Sequence, residues 1–463
     1  MHFDSLRRYN NKRIRGSDKQ FICFSSFLAV YLIQAIFLLF PSISMAGGLW
    51  EAYQLAMEND AEYTSAVAAN RATRELLPQA RASLLPNMEL NLSTGGKDQD
   101  VRKGFVGIVG RDRFNEKELD LIVTQPIYHK ESWVQLDKAR MSMKEADFTL
   151  ALAHQELMVR TAKRYFDVLR AMDEMTFAKS EEEATDKQSR QARERLAVGL
   201  VAMTDVQEAK AKFDIAVARR INAKVELDDA KESLWEITGE RPSELDALGE
   251  AMRLVFPEPN DIEQWTKIAL RQNPELAASN QAEKVAQTEI KRIKARHWPR
   301  LDLVGAHKRA SSNGGQYGET DTRASSITLQ LRVPIYEGGL VLSQSREATH
   351  RHAEAVAKLV KVKRSVERKT RDAFLGVVSG VTRVNALKQA LQSTKIALDA
   401  TRKGFQVGMR TSLDVLNGQR DLLQAKRDYA SVRYDYALDM LRLKQATGTL
   451  SEEDMVMVDA WLE

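Results

Sequence analysis

The sequence predicts a mainly α-helical chain with a β-barrel portion, built from one unit of about 210 residues used twice. Three observations predict it. A set of phrases recurs in order at a nearly constant offset; two very long stretches, 127–241 and 335–463, contain no proline; and four segments alternate strictly between apolar and polar residues.

The recurrence is direct. Leu55-Ala56-Met57…Glu62 returns as Ile268-Ala269-Leu270…Glu275, and Ala82…Leu84-Leu85-Pro86…Leu90 as Ala295…His297-Trp298-Pro299…Leu303, both 213 residues on. Pro126-Ile127-Tyr128 returns as Pro334-Ile335-Tyr336 after 208 residues. Val198-Gly199…Asp205-Val206 returns as Val407-Gly408…Asp414-Val415, and Thr238-Gly239 as Thr447-Gly448, both after 209. The expected organisation is therefore residues 1–46 as a signal peptide, 47–253 as a first repeat and 254–463 as a second, each ordered helix, strand, polar loop, strand, long helix, tight turn, helix.

The signal comes first in the chain. Arg7, Arg8, Lys12, Arg13, Arg15 and Lys19 against Asp4 and Asp18 give residues 1–19 a charge of +4. An uncharged apolar run from Phe21 to Phe40 follows, then Pro41 and the small-residue site Ser44-Met45-Ala46. A membrane anchor would need the same apolar length, but the helix-breaking proline and the cleavage-type residues arrive together, so cleavage after Ala46 is expected. The only cysteine, Cys23, leaves with this segment, which argues against a lipid-anchored, disulfide-bonded or thiol-catalytic mature protein. Of the chain's formal charge of +5, four units belong to the discarded part, and the basic balance ceases to suggest nucleic acid.

The helices are set by proline and by heptads. Lys130–Leu196 would run ~100 Å at 1.5 Å per residue. Residues 205–237 and 261–296 are about half that length each and are expected to stack end to end beside it. Residues 49–83 plus 413–447 are expected to match 340–404 in the same way. Positions 206, 209, 213, 216, 220, 223, 227, 230 and 234 carry apolar residues except Arg220, and their copies from 415 to 443 break only at Asp439. Such stripes are read as helix packing.

The strands alternate with period two. Met88, Leu90 and Leu92 oppose Glu89, Asn91 and Ser93; Leu119, Leu121 and Val123 oppose Asp120 and Thr124, with Ile122 an exception. Leu301 and Leu303 flank Asp302, and Ile327, Leu329, Leu331 and Val333 alternate with Thr328, Gln330 and Arg332. Pairs of about 8–11 residues joined by polar loops, Lys97–Lys117 and Lys308–Arg323, fit a barrel with lipid outside and water inside. Four strands cannot enclose a channel, because the smallest membrane barrels use about 8, and open edges are not tolerated in lipid. Several chains must share one barrel: two would supply 8 strands and three would supply 12.

No catalytic pattern stands out. There is no HExxH, GxSxG, Walker loop or GxGxxG. Gly104, Gly107 and Gly110 read as a flexible loop. His350 and His352, two apart on a helix, point to different sides and do not form a metal pair. The basic stretch Lys358, Lys361, Lys363, Arg364, Arg368, Lys369 and Arg371 is interspersed with Glu354, Glu367 and Asp372 and reads as a solvated face. No enzyme, cofactor, metal or nucleic-acid partner is expected.

The phrases around the two tight turns carry a likeness. RLAVGLVAMTDVQ from Arg195 to Gln207, GFQVGMRTSLDVL from Gly404 to Leu416, PIYEGG from Pro334 to Gly339 and TGTL from Thr447 to Leu450 resemble the TolC-type outer-membrane channel proteins. The resemblance spans about residues 49–456 and includes the duplication. It implies a homotrimer with a shared 12-stranded barrel in outer-membrane lipid, continuing as a 12-helix tunnel into the periplasm of a Gram-negative cell. It further implies a passive exit duct for efflux pumps and type I secretion, docked by a periplasmic adaptor and an inner-membrane transporter. The alternative class is a periplasmic coiled-coil adaptor, which would carry one hairpin rather than two strand-pair-plus-hairpin units.

The same resemblance assigns site residues. Asp414 matches a ring of carboxylates at the periplasmic constriction, and Asn417 stands where a second acid is usual, which weakens the ring. Asp414 and its repeat mate Asp205 also suit helix N-caps. Arg410 matches an arginine that links to Thr204 and Asp205 of the other hairpin or of a neighbour. Its usual tyrosine partner is Phe405 here, which has no hydroxyl to donate, and Arg433 resembles a further latch residue. Val198, Gly199, Leu200, Val407, Gly408 and Met409 are the expected adaptor contact, although glycine at a tight turn also serves conformation alone.

Overall fold

The computed structural model describes residues 47–102, 110–241, 244–249, 252–315 and 317–462. The expected signal segment with Cys23, and the loop glycines Gly104 and Gly107, lie outside the described residues.

The first repeat begins with three short helices, α1 (Leu49–Asn59), α2 (Ala61–Arg74) and α3 (Leu76–Ala82). Strands β1 (Asn87–Val101) and β2 (Gly110–His129) follow, then the 68-residue α4 (Lys130–Ala197) and α5 (Met203–Thr238). The second repeat has α6 (Ile262–Gln272), α7 (Pro274–Lys294), β3 (Arg300–Asn313), β4 (Glu319–Arg332), the 67-residue α8 (Leu340–Gln406) and α9 (Ser412–Thr447). A closing helix, α10 (Glu452–Asp459), is added after it.

The four strands form one antiparallel sheet in the order β1-β2-β3-β4. They are longer than the alternation suggested, at 15, 20, 14 and 14 residues. The expected loops at 97–117 and 308–323 are therefore corrected: most of these polar residues continue the strands. Cross-strand pairing holds them there, because Lys97 bonds Glu116 and Arg111 and Arg113 share Asp98. A polar run reads as loop only when its partners across the strand are unseen.

Register assigns the faces. Met88, Val123, Gly305 and Ile327 form one row, and Leu90, Leu121, His307 and Ser325 the next row on that face. Asn91, Asp120, Lys308 and Ala324 form a row on the opposite face, with Glu89, Ile122, Ala306 and Ser326 beside it. Ile122 thus remains an apolar exception among polar neighbours.

The short helices stack differently from expectation. The last carbonyls of α5 meet the α1–α2 junction, where Asn59 Nδ2 donates to Thr238 O at 2.8 Å. The last carbonyls of α9 meet the α6–α7 junction, where Asn273 Nδ2 donates to Ala446 O at 2.9 Å. Stacking is therefore within each repeat, not across the boundary between them. The cause is local: Asp60 and Asn273 N-cap α2 and α7, and Pro274 cannot sit inside a helix. Each half-length helix thereby ends at a break that offers polar side chains to the carbonyls arriving from the other.

Long helix α4 bonds α7 through Lys138–Glu289 at 2.8 Å and α5 through Arg219–Glu181 at 2.8 Å. Likewise α8 bonds α7 through His352–Glu283 at 2.6 Å and packs along α9. The heptad seam of α5 is borne out, with Val206, Ala209, Ala216, Ala223 and Leu234 buried. Its exception, Arg220, pairs with Glu182 on α4, and Asp439 of the copy pairs with Arg442 at 3.1 Å. Between the stacked ends lies the largest core, where Tyr165, Phe166, Tyr434, Tyr436, Met455 and Trp461 from both repeats and α10 converge. Tyr165 and Tyr436 donate to the carbonyls of Asp246 and Val255, both at 2.9 Å, so the inter-repeat segment is held by backbone hydrogen bonds.

Candidate functional site: the paired helical turns

Both long helices end in the same motif. The N–H groups of Gly199 and Gly408 reach the carbonyls of Leu196 (2.9 Å) and Phe405 (3.1 Å). Those of Leu200 and Met409 reach Arg195 (2.9 Å) and Gly404 (2.8 Å). This double pattern satisfies the last helical carbonyls and requires a left-handed residue. Gly199 (φ +73) and Gly408 (φ +78) supply it. No atom stands where a Cβ would go at either glycine, so φ alone selects glycine there. Each turn projects two apolar side chains into solvent: Val198 and Leu200 at 69% and 72% exposure, Val407 and Met409 at 69% and 78%.

The two acids are not the N-caps that the sequence suggested: Thr411 and Ala202 hold those positions, and Asp414 and Asp205, each at the third position of its helix, accept from the N-cap backbone. Thr411 N–H donates to Asp414 Oδ2 at 2.9 Å and Asp414 N–H to Thr411 Oγ1 at 3.2 Å, a complete capping box. The hydrogen bonds from Thr411, aided by the Arg410 guanidinium, hold the Asp414 carboxyl below the usual carboxylate range. At Asp205 only half the box exists, Ala202 N–H donating to Oδ2 at 3.2 Å, because alanine has no side-chain acceptor to return.

The structure brings some of the expected latch residues together and separates others. Arg410 lies near Asp414, and its stem rests on Gly404, where a Cβ would approach Arg410 Cγ to 2.9 Å. Among the described residues no ion pair within the chain joins Arg410 to Asp205, whose carboxylate is turned back on Ala202. Thr204 is exposed in the first turn of α5. Phe405 lines a groove of about 520 Å³ with Arg195, Leu398 and Arg402; Asn417 lines a second of about 710 Å³ with Phe177, Ile215 and Arg420.

Arg433 lies away from the turns. Its guanidinium donates to the carbonyls of Leu248 (3.2 Å) and Gly249 and lies over the Tyr429 ring at 5.5 Å. It sits ~30 Å along α9 from the turn, at 1.5 Å per residue, and clamps the inter-repeat segment. Sequence reasoning overlooked the close-approach glycines. Gly404 seats Arg410, and Gly418 lets α9 approach Leu398 of α8, with 3.2 Å to a would-be Cβ. Each was visible as a glycine in a helical pattern, the signal for such an approach.

A sheet with one apolar and one polar face, continuing into two long hairpins with matched open turns, defines an outer-membrane export channel protein. Comparison with known proteins agrees. A family model described as outer membrane efflux protein matches the chain twice, over residues 52–240 and 265–449. The chain is 34% identical over 426 residues to outer membrane protein TolC of Vibrio cholerae, covering 90% of this chain and 94% of that protein. It is 30% identical over 441 residues to alkaline protease secretion protein AprF of Pseudomonas aeruginosa, covering 94% and 91%. The crystal structure of the Campylobacter jejuni CmeC outer membrane channel has a TM-score of 0.76 over 90% of each chain, at 16% identity. The chain belongs to the outer membrane efflux protein family. Its place is the Gram-negative outer membrane, with the helical tunnel in the periplasm.

Proposed function

We propose that three copies of this chain form a passive exit duct for efflux pumps and type I secretion, opened when a periplasmic adaptor and its inner-membrane transporter dock. Twelve strands, four from each copy, would close the sheet edges that lipid does not tolerate, and the long hairpins would continue as a 12-helix tunnel. The observation that carries the reading is the pair of matched turns. Both present an apolar tip on a rigid glycine corner, and both are followed at once by a capped acid.

In this reading Val198, Gly199, Leu200, Val407, Gly408 and Met409 meet the adaptor. The Asp414 carboxylates of three copies ring the constriction, flanked by Asn417. Arg410 reaches Thr204 and Asp205 of a neighbouring subunit, past Phe405, and holds the tunnel shut. The acids then have two tasks, since a carboxylate that accepts one backbone N–H keeps further lone pairs for a second partner.

Planar-bilayer recording of purified full-length protein, with its mass in detergent measured alongside, tests the duct. A conducting species of trimeric mass is expected; a monomer without conductance would overturn the proposal. Photocrosslinking in cells from a probe at Gly199 is expected to capture an adaptor, and failure to do so from either turn would remove the assigned contact.

A further inference from the structure

The apolar face of the sheet turns cationic at one level. Leu92, Leu119, Arg309 and Arg323 share one cross-strand row, and Thr94, Lys117, Ser311 and Asp321 share the next row on the same face. Arg309 and Arg323 therefore stand directly opposite each other on neighbouring strands, a like-charge placement that is unfavourable by itself. Arg309 reaches Asp321 at 3.2 Å, whereas Arg323 and Lys117 have no ion-pair partner among the described residues. Three exposed cations thus share one carboxylate.

The opposite, polar face is different. There Lys308 bonds Glu118 and lies 4.0 Å from Asp120, and Lys97 bonds Glu116. On the same outward face as Lys117, higher on β1 and β2, Arg111 and Arg113 share Asp98. At the level of the Leu92 and Thr94 rows the outward face thus carries Lys117, Arg309 and Arg323 against Asp321 alone.

Their height is also fixed. Exposed Tyr128, Trp133, Trp298 and Tyr336 gather at the helical end of the strands, as an aromatic girdle at the periplasmic interface would. From Tyr128 to Leu119 the strand advances ~30 Å at about 3.4 Å per residue. With a tilt of about 40°, that spans ~23 Å of membrane, close to the usual apolar band of ~25 Å. The cations begin where that band ends, at the headgroups of the leaflet far from the periplasm.

We infer that Lys117, Arg309 and Arg323 form an outward-facing surface that docks the phosphate groups of an anionic lipid of the outer leaflet. Guanidinium pairs suit phosphate oxygens because their N–H groups are planar and bidentate. A phosphate between Arg309 and Arg323 would convert their repulsion into a shared bond. The hydroxyls of Ser311 and Thr94 lie on the same row as Lys117 and offer further donors. The inference rests on the barrel reading, which makes this face the lipid-facing one.

Native mass spectrometry of the full-length protein in detergent, titrated with bisphosphorylated lipid A, tests it. Removing the three charges as Lys117→Gln, Arg309→Gln and Arg323→Gln is expected to weaken lipid binding about a hundredfold. Arg323→Gln alone, which breaks no bond within the chain, is expected to weaken it about fivefold. Lys308→Gln, on the opposite face, is expected to leave it unchanged. Fully dephosphorylated lipid should bind at background, and free pyrophosphate should not displace the phosphorylated lipid at equal concentration. Equal binding by the triple and wild-type proteins, or by dephosphorylated lipid, overturns the inference. Displacement by pyrophosphate would show a phosphate site indifferent to lipid and overturn it too. Loss of binding in Lys308→Gln but not in the triple variant would mean the faces are reversed, and the barrel reading itself would fall.

Discussion

Asn273 joins two helices that are far apart in sequence: its Nδ2 donates to the carbonyl of Ala446 at 2.9 Å while its Oδ1 accepts the Leu276 N–H at 3.0 Å. One buried side chain thus closes the end of α9 and the start of α7. Gly448 completes the joint, since a Cβ there would lie 2.5 Å from Gln272 O, at φ +76. Asn273→Ala removes a cap and leaves a carbonyl unpaired, and is expected to cost about 2 kcal/mol. Asn273→Ser keeps a cap acceptor for the Leu276 N–H and loses the amide donor, so it should cost less than Asn273→Ala. Denaturant midpoints of the solubilised protein in the order wild type, Ser, Ala would bear this out; equal midpoints would refute it.

Acid should loosen the contact between α4 and α7. Glu289 accepts from Arg292 and from Lys138 at 2.8 Å, and these bonds, the Arg292 pair foremost, hold its carboxyl at about 2. A carboxyl depressed in the folded state stabilises it above its unfolded value, ~4.3, and that contribution is lost as pH falls from there toward 2. After screening by solvent, the contribution at neutral pH is about 1–2 kcal/mol. Glu289→Gln should therefore lower the melting temperature at pH 7 and flatten the decline between pH 4.5 and 2. A variant that tracks the wild type over that window would show the pair to be idle.

Much of this architecture was legible because its signals are local. Proline positions bound the long helices, the 3,4 spacing placed the seam of α5, and period two gave the apolar face of every strand. Strand length was not legible, because Asp98 reads as loop until Arg111 and Arg113 are seen across from it. The stacking partner of each short helix was also hidden. Length alone fits either pairing, and the choice lies in Asn59 and Asn273, whose amides meet carbonyls more than 170 residues away. At the turns, sequence gave the acids and glycines their places, but Arg433 could not be assigned from its neighbours. Its partners are the backbone carbonyls of Leu248 and Gly249 in a distant segment that carries no side-chain signal for them.

The turn glycines should separate shape from contact. At Gly408 the demand is φ +78 with open space around it, so Gly408→Ala costs about 1–2 kcal/mol of local strain and no clash. Met409→Ala instead removes an exposed apolar tip without touching the backbone motif. If the tips meet an adaptor, Met409→Ala should reduce its co-purification while leaving thermal stability unchanged. Gly408→Ala should reduce both. Undiminished co-purification of Met409→Ala, together with Val407→Ala, would take the tips out of the contact.

The closed state should depend on Arg410 more than on any other turn residue. Phe405 offers it no hydroxyl; within the chain its stem is seated on Gly404 and its guanidinium lies near Asp414, but among the described residues it forms no ion pair. In the proposed trimer the charge would be available to Thr204 and Asp205 of a neighbouring subunit, since Asp205 retains carboxylate lone pairs beyond the one that accepts from Ala202 N–H. An exposed ion pair contributes up to about 1 kcal/mol. Three of them released together shift a two-state gate by about a hundredfold. Arg410→Ser and Asp205→Asn should each raise single-channel conductance, and the double variant should raise it no further than either alone, the signature of one shared bond. Gly404→Ala should act in the same direction more weakly, since its methyl group moves the arginine stem without removing the charge. An unchanged current in Arg410→Ser would dismiss the latch, whereas additive effects of the two charge removals would place Arg410 and Asp205 in separate contacts.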